Sequence, residues 1–168
     1  MGLSLRRIES SDMYNSEIFN MLKLMPKEEN GFHNPGFGIT WEDFPDFITK
    51  SLIEITNPDT SKGLVPQTIF WLYEEDKPIG ISKMRHYLTE KLKIRGGHIG
   101  YGILKGKRNK GYGKILLNKT LQEIKKIGVD RVLITCDEHN NSSRKVIESN
   151  NGKLEDIVDN ECRYWIEV

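Results

Sequence analysis

Residues 105–114 read KGKRNKGYGK, placing Gly106, Gly111 and Gly113 among five cationic side chains. The chemistry this suggests is anion binding by backbone. Glycine lets successive N–H groups turn toward one point, and a helix start adds partial positive charge. Two familiar phosphate loops fail. A P-loop begun at Gly106 reaches its second glycine at Gly111 but meets Tyr112 where lysine is required. A dinucleotide fingerprint begun at Gly111 puts Leu116 at its third glycine. What remains is Arg108-x-x-Gly111-x-Gly113. A charge run between elements also reads as a solvated loop, so the pattern alone leaves two readings open.

The totals narrow the ligand. The chain has 168 residues with 25 Lys+Arg against 24 Asp+Glu, a net charge of +1. A dedicated nucleic-acid binder shows a basic excess, and this chain does not. The positive charge is local and suits a small anion. Cys136 and Cys162 make no disulfide framework, the N-terminus carries no signal peptide pattern, and no apolar run is long enough to span a bilayer. The expectation is a cytoplasmic protein without membrane or nucleic-acid partners.

Several elements must position the loop. Residues 2–8 alternate like a strand. Ser10 or Ser11 can cap a helix over Tyr14, Ile18, Met21, Leu22 and Met25 that ends at Pro26. A loop over 27–40 leads to a helix over 41–55, with Thr40 as N-cap and Pro45 in its first turn. Strands at 68–73 and 78–86 form a hairpin through 74–77. A third strand, 96–104, is loosened by glycine. A helix over 111–127 stops at Gly128, a buried strand covers 131–136, and a short helix covers 140–150. Strands at 153–158 and 162–168 close the chain. The order predicts an α/β (α+β) fold in one domain, residues 1–168. Its sheet is mixed, mostly antiparallel and twisted, with about seven strands flanked by helices.

The loop in this setting resembles the pyrophosphate loop, Q/R-x-x-G-x-G/A, of the GNAT superfamily of N-acetyltransferases. The resemblance extends along nearly the whole chain. It includes Asn140-x-x-Ser143 and Gly152, set where the superfamily has Asn-x-x-(Ala/Ser)-x-x-x-Tyr and a closing glycine. It implies an acyl-CoA N-acyltransferase fold. It implies transfer of acetyl from acetyl-CoA, as co-substrate and without a metal, to a primary amine by direct attack in a ternary complex. The expected acceptor is a small molecule, and a homodimer is compatible with the resemblance. A non-catalytic acyl-CoA-binding module and a protein amino-group acetyltransferase are the competing readings.

The resemblance also implies residue roles. Gly102, Ile103 and Leu104 would line the pantetheine arm like an added strand. The amides of Asn109, Lys110, Gly111, Tyr112, Gly113 and Lys114 would take the diphosphate, with charge from Arg108, Lys110 and Lys114. Asn140 and Ser143 match positions beside the cofactor arm, although Asn140 also reads as a plain helix cap. His98 is the candidate base, on the strand where many members carry a glutamate; a structural histidine is the other reading. Ile147 stands where many members have an acid tyrosine, leaving Tyr101, Tyr164 and Cys136 as candidates for that task. Phe32, His33, Phe37 and Trp41 are expected to form the acceptor pocket, or else a flap over the core.

Overall fold

The computed structural model describes residues 2–29 and 31–168; Asn30, inside the loop expected over 27–40, lies outside them. The hairpin forms as expected. β4 (Gln67–Glu74) and β5 (Lys77–Arg85) pair antiparallel, and Glu75 turns the chain with φ 53°. β1 (Leu3–Arg7) and β6 (Ile99–Ile103) flank them in a four-stranded sheet ordered β1-β4-β5-β6. β7 (Arg131–Asp137), β8 (Lys153–Val158) and β9 (Glu161–Glu167) form a second sheet ordered β7-β9-β8. The seven strands expected as one sheet are thus two antiparallel halves that part between β6 and β7.

Helices cover both faces. α1 (Ser16–Leu24) and α2 (Phe44–Ile53) pack Ile18, Met21, Leu22, Phe44 and Ile48 onto Ile69, Trp71 and Ile81. α4 (Tyr112–Lys126) covers the opposite face. It buries Leu116, Leu117, Thr120, Leu121 and Ile124, a helical repeat that keeps one stripe inward. α5 (Asn141–Ser149) packs against α4 and β7. No helix among the described residues is long and apolar enough to cross a membrane.

The N-terminal half corrects several expectations. The helix expected from Ser10 to Met25 is two pieces, a 3-10 turn at Ser10–Tyr14 and then α1. Asn15 breaks them, because its Oδ1 accepts from the Glu17 and Ile18 amides and caps a new helix. The helix expected over 41–55 is shorter. Its cap is Asp43 rather than Thr40, with Pro in the first turn, where the missing N–H costs nothing. The loop over 27–40 contains β2 (Glu28–Glu29) paired with β3 (Phe32–His33). Asn34 holds the turn after β3. It is buried, donates to the Leu22 and Met25 carbonyls and accepts from the Gly36 amide. A short helix, α3 (Glu90–Ile94), capped by Thr89, carries no apolar period and was not expected.

Candidate active site

The site is organised by the parting of β6 from β7. Leu104 N donates to Ile79 O and Arg85 N to His98 O, with Lys83 opposite Gly100 and Ile81 opposite Gly102. Antiparallel pairing alternates, so Gly100 and Gly102 turn their backbone groups to β5. Those of Ile99, Tyr101 and Ile103 face the open edge. The expected arm-binding set of Gly102, Ile103 and Leu104 is therefore shifted: of the three, only Ile103 lies on that edge. Its carbonyl accepts from Arg108 Nε at 3.1 Å.

His98 closes the base of the opening. Its backbone N–H donates to Leu133 O at 2.7 Å, and its ring Nδ1 accepts from the Leu133 amide at 2.9 Å. Burial, followed by the Arg85 charge, lowers its pKa to about 4. The ring is therefore neutral with its proton on Nε2, and Nδ1 is occupied. That arrangement ties β6 to β7 and weighs against the base role. The adjacent Gly97 is fixed by space: a Cβ there would stand 2.4 Å from Leu133 O.

Beyond the strand the chain makes a 3-10 turn at Lys105–Lys107 and then the loop. Asn109 and Gly111 adopt left-handed φ of 60° and 80°. Gly111 is the N-cap of α4, and the first turn of this 15-residue helix contains no acid. Successive amides from Asn109 to Lys114 therefore lie at a helix N-terminus open to an anion. Gly113 has ordinary φ, and a Cβ there would meet Val146 and Tyr101 at 3.4 and 3.9 Å. Lys110 and Lys114 are exposed. Tyr112 is buried and donates to Glu74, which also pairs with Lys107. Arg108 is not free to serve a diphosphate alone, because its guanidinium pairs with both oxygens of Glu29. Sequence reading missed Glu29 and Glu74, and nothing local marks either acid as a partner of residues more than thirty positions away.

On the far side of the opening Asn140 caps α5 through its Oδ1, which accepts from the Ser143 amide at 3.1 Å. The Ser143 hydroxyl meets the Tyr101 hydroxyl at 2.8 Å, so a β6 side chain reaches across to α5. Burial raises the Tyr101 pKa, keeping its proton at neutral pH. Cys136, pushed up to about 12 mainly by burial, and Tyr164, also raised to about 12 by burial, are both buried in the core. The Tyr164 hydroxyl accepts from Arg144 and donates to Glu148. Ile147 is fully buried beside Gly152.

The acceptor residues are only partly brought together. Phe32 lies over β6, within 2.9 Å of the place a Cβ would take on Gly102 and 3.5 Å of that on Gly100. The two glycines thus make its seat. His33 is exposed and pairs with Glu28 across the small hairpin. Phe37 is half exposed, and Trp41 packs on Phe19 and Phe44 at 5.3 and 5.9 Å. Trp41 thus belongs to the α1–α2 surface, and neither it nor Phe37 shares a ring contact with Phe32. No cluster of three or more metal-ligating side chains exists among the described residues.

Residues 3–153 match the acetyltransferase (GNAT) domain family. Solved structures share the fold at low identity. The acetyltransferase of GNAT family from Streptococcus pneumoniae has a TM-score of 0.67 and 16% identity, over 99% of this chain and 100% of that one. RimL, a ribosomal L7/L12 alpha-N-protein acetyltransferase in complex with coenzyme A, gives 0.72 and 14%, over 99% and 94%. The microcin C7 self immunity acetyltransferase MccE, in complex with acetyl-CoA and AMP, gives 0.63 and 19%, over 99% and 92%. No curated protein matches the sequence.

Proposed function

The chain belongs to the GNAT acetyltransferase family, and from that premise we propose that it moves the acetyl group of acetyl-CoA to a primary amine of a small molecule. The observation that carries this reading is the open β6 edge leading directly into a glycine-turned helix N-terminus. An extended pantetheine arm can hydrogen-bond to the Tyr101 and Ile103 backbone as an added strand. Its diphosphate then meets the amides from Asn109 to Lys114. Structures of the same fold are described with acetyl-CoA or coenzyme A bound, which supports the choice of ligand. Phe32 lies over Gly100 and Gly102 and so covers one face of β6, which favours a small acceptor over a folded polypeptide.

In this reading a neutral amine attacks the thioester carbonyl, a tetrahedral intermediate forms, and the thiolate leaves. Tyr101 is the hydroxyl at the opening that keeps its proton at neutral pH, so it is assigned as donor to the departing sulfur. Ile147 cannot serve. Thiolate is a fair leaving group, since thiol pKa values lie near ~8.5, so such help assists without being obligatory. With His98 committed to the sheet junction, the ammonium proton of the acceptor goes to solvent before attack, and the second proton, shed by the nitrogen as the intermediate collapses, replaces through solvent the one that Tyr101 gives to sulfur.

The test is a thermal shift with acetyl-CoA followed by thiol release across small amines and peptides. Stabilisation with turnover of small amines supports the reading. Binding without turnover of any amine would replace it with a binding module, and turnover of peptide N-termini alone would make the acceptor a polypeptide.

A further inference from the structure

The acceptor face of the sheet holds two neighbouring cations. Along β5, Ser82 meets Thr120 of α4 at 2.8 Å and Met84 joins the core beneath α4, whereas Ile81 packs with α1 and α2. Side chains alternate along a strand, so Lys83 and Arg85 share the Ile81 face. Lys83 is the register partner of Gly100, the glycine that seats Phe32. Its stem therefore rises beside the Phe32 ring, one strand in from the open edge.

Arg85 is anchored: its guanidinium donates to the Gly96 and Gly97 carbonyls at 3.3 and 3.1 Å. The Lys83 ammonium donates to no described group. Every fully buried side-chain nitrogen or oxygen among the described residues has a partner, so this one keeps contact with solvent. Burial, then the Arg85 charge, lowers its pKa to about 8, and only Glu54 opposes them. The Glu54 carboxylate is itself bonded to Gln67 Nε2 at 2.8 Å. His98, the other titratable group facing Arg85, is neutral and supplies no negative charge. A desolvated ammonium beside a guanidinium is costly until an anion approaches it.

We propose that Lys83, backed by Arg85, receives a carboxylate of the acceptor, so that the amine substrate is an amino acid or a close relative. This rests on the transferase reading above. Neighbouring strands lie ~4.8 Å apart, so an amine at the β6 edge and a carboxylate over β5 are separated by only a few bonds. A charge-assisted hydrogen bond would then orient the amine toward the thioester. A substrate lacking the carboxylate would leave the ammonium unpaired, which is how a polar site rejects the wrong ligand.

The experiment uses the full chain loaded with CoA and titrates a panel of N-acetylated amino acids as product-like ligands, with their decarboxylated counterparts as controls. We expect the carboxylates to bind, Lys83→Met to weaken them by at least about tenfold, and Lys83→Arg to stay within about threefold of wild type. CoA affinity should be the same in all three proteins, which also shows that they are folded. In transfer assays amino acids should exceed the decarboxylated amines by about tenfold in kcat/KM. No carboxylate binding, or indifference to Lys83→Met, overturns the proposal. Transfer to neutral amines without preference overturns it and leaves the transferase reading intact. Carboxylate binding without transfer to any amine leaves the receptor standing and overturns the transferase reading.

Discussion

The proposed cofactor edge and the proposed acceptor face adjoin on one strand but are built from different materials. The edge is backbone: the outward-facing groups of β6, two left-handed residues at Asn109 and Gly111, and the first amides of α4. The face is side chain: Phe32 from one small strand, Lys83 and Arg85 from β5, Glu54 from the end of α2. A backbone site tolerates wide change in sequence, provided the turn and the helix start survive. A side-chain site changes with each contributing residue. The fold can thus hold one cofactor while its acceptor varies. The two regions meet at Gly97 and His98, and perturbing that junction should have the largest effect.

Gly97→Ala places a Cβ at φ 60° and 2.4 Å from a backbone oxygen that cannot step aside. We expect the variant to lose roughly 3 kcal/mol of stability in urea unfolding, with both acetyl-CoA and acceptor binding impaired together. A variant within about 0.5 kcal/mol of wild type would show that the two halves do not depend on this contact.

The same contrast explains what was legible in the sequence. Arg108-x-x-Gly111-x-Gly113 could be read because local glycines and a helix start encode it. The hairpin, α4 and the closing strands were readable from their apolar periods. Asn15 as a break within the first helix was not, since a capping side chain competes with helix continuation in a way periodicity does not register. The β2–β3 pair was hidden because two-residue strands have no period. Lys83 and Arg85 carry no local signal, and only the seating of Phe32 on Gly100 brings them to the proposed acceptor site. Glu29 and Arg108 are 79 residues apart in sequence, and no local signal joins them.

The junction also predicts a dependence on pH. His98 titrates near 6.5 when the chain is unfolded and at about 4 when it is folded. Between these values the unfolded chain binds the extra proton, so this stabilisation is full above pH 6.5 and is lost as the pH falls toward 4. The shift sets a ceiling of ~3 kcal/mol, and partial access of water reduces it to about 2. His86, lowered by burial, acts in the same direction. The comparison is therefore between wild type and His98→Gln: the difference in their unfolding free energies should shrink from pH 7 to pH 4. A constant difference would mean that His98 does not titrate on unfolding.

Gly111→Val separates the two regions. Nothing lies within 4 Å of the Cβ position, so the protein does not crowd the new side chain; φ 80° strains it. Acetyl-CoA affinity should fall at least about tenfold, or 1.4 kcal/mol, while the left-handed backbone costs roughly 1–2 kcal/mol of stability and leaves the variant folded. Calorimetry on the folded variant decides. An unchanged dissociation constant would remove the loop from the cofactor site.

The smallest effect concerns Glu29. Its carboxylate pairs with Arg108 and its pKa is held down chiefly by that bond. Both side chains are about a third exposed, so the pair adds little to stability. Its electrostatic influence should fall on the ligand, because it places negative charge beside the proposed diphosphate loop. Glu29→Gln removes that charge and frees the Arg108 guanidinium, while the bond from Arg108 Nε to Ile103 O still holds the arginine at the loop. Acetyl-CoA should therefore bind about two- to threefold tighter, some 0.5 kcal/mol, at low ionic strength. The gain should fade at high salt, as screening reduces interactions between exposed charges. Weaker binding at every salt concentration would give Glu29 the opposite role, a brace that positions Arg108 for the ligand, and the cofactor edge would then depend on a side chain after all.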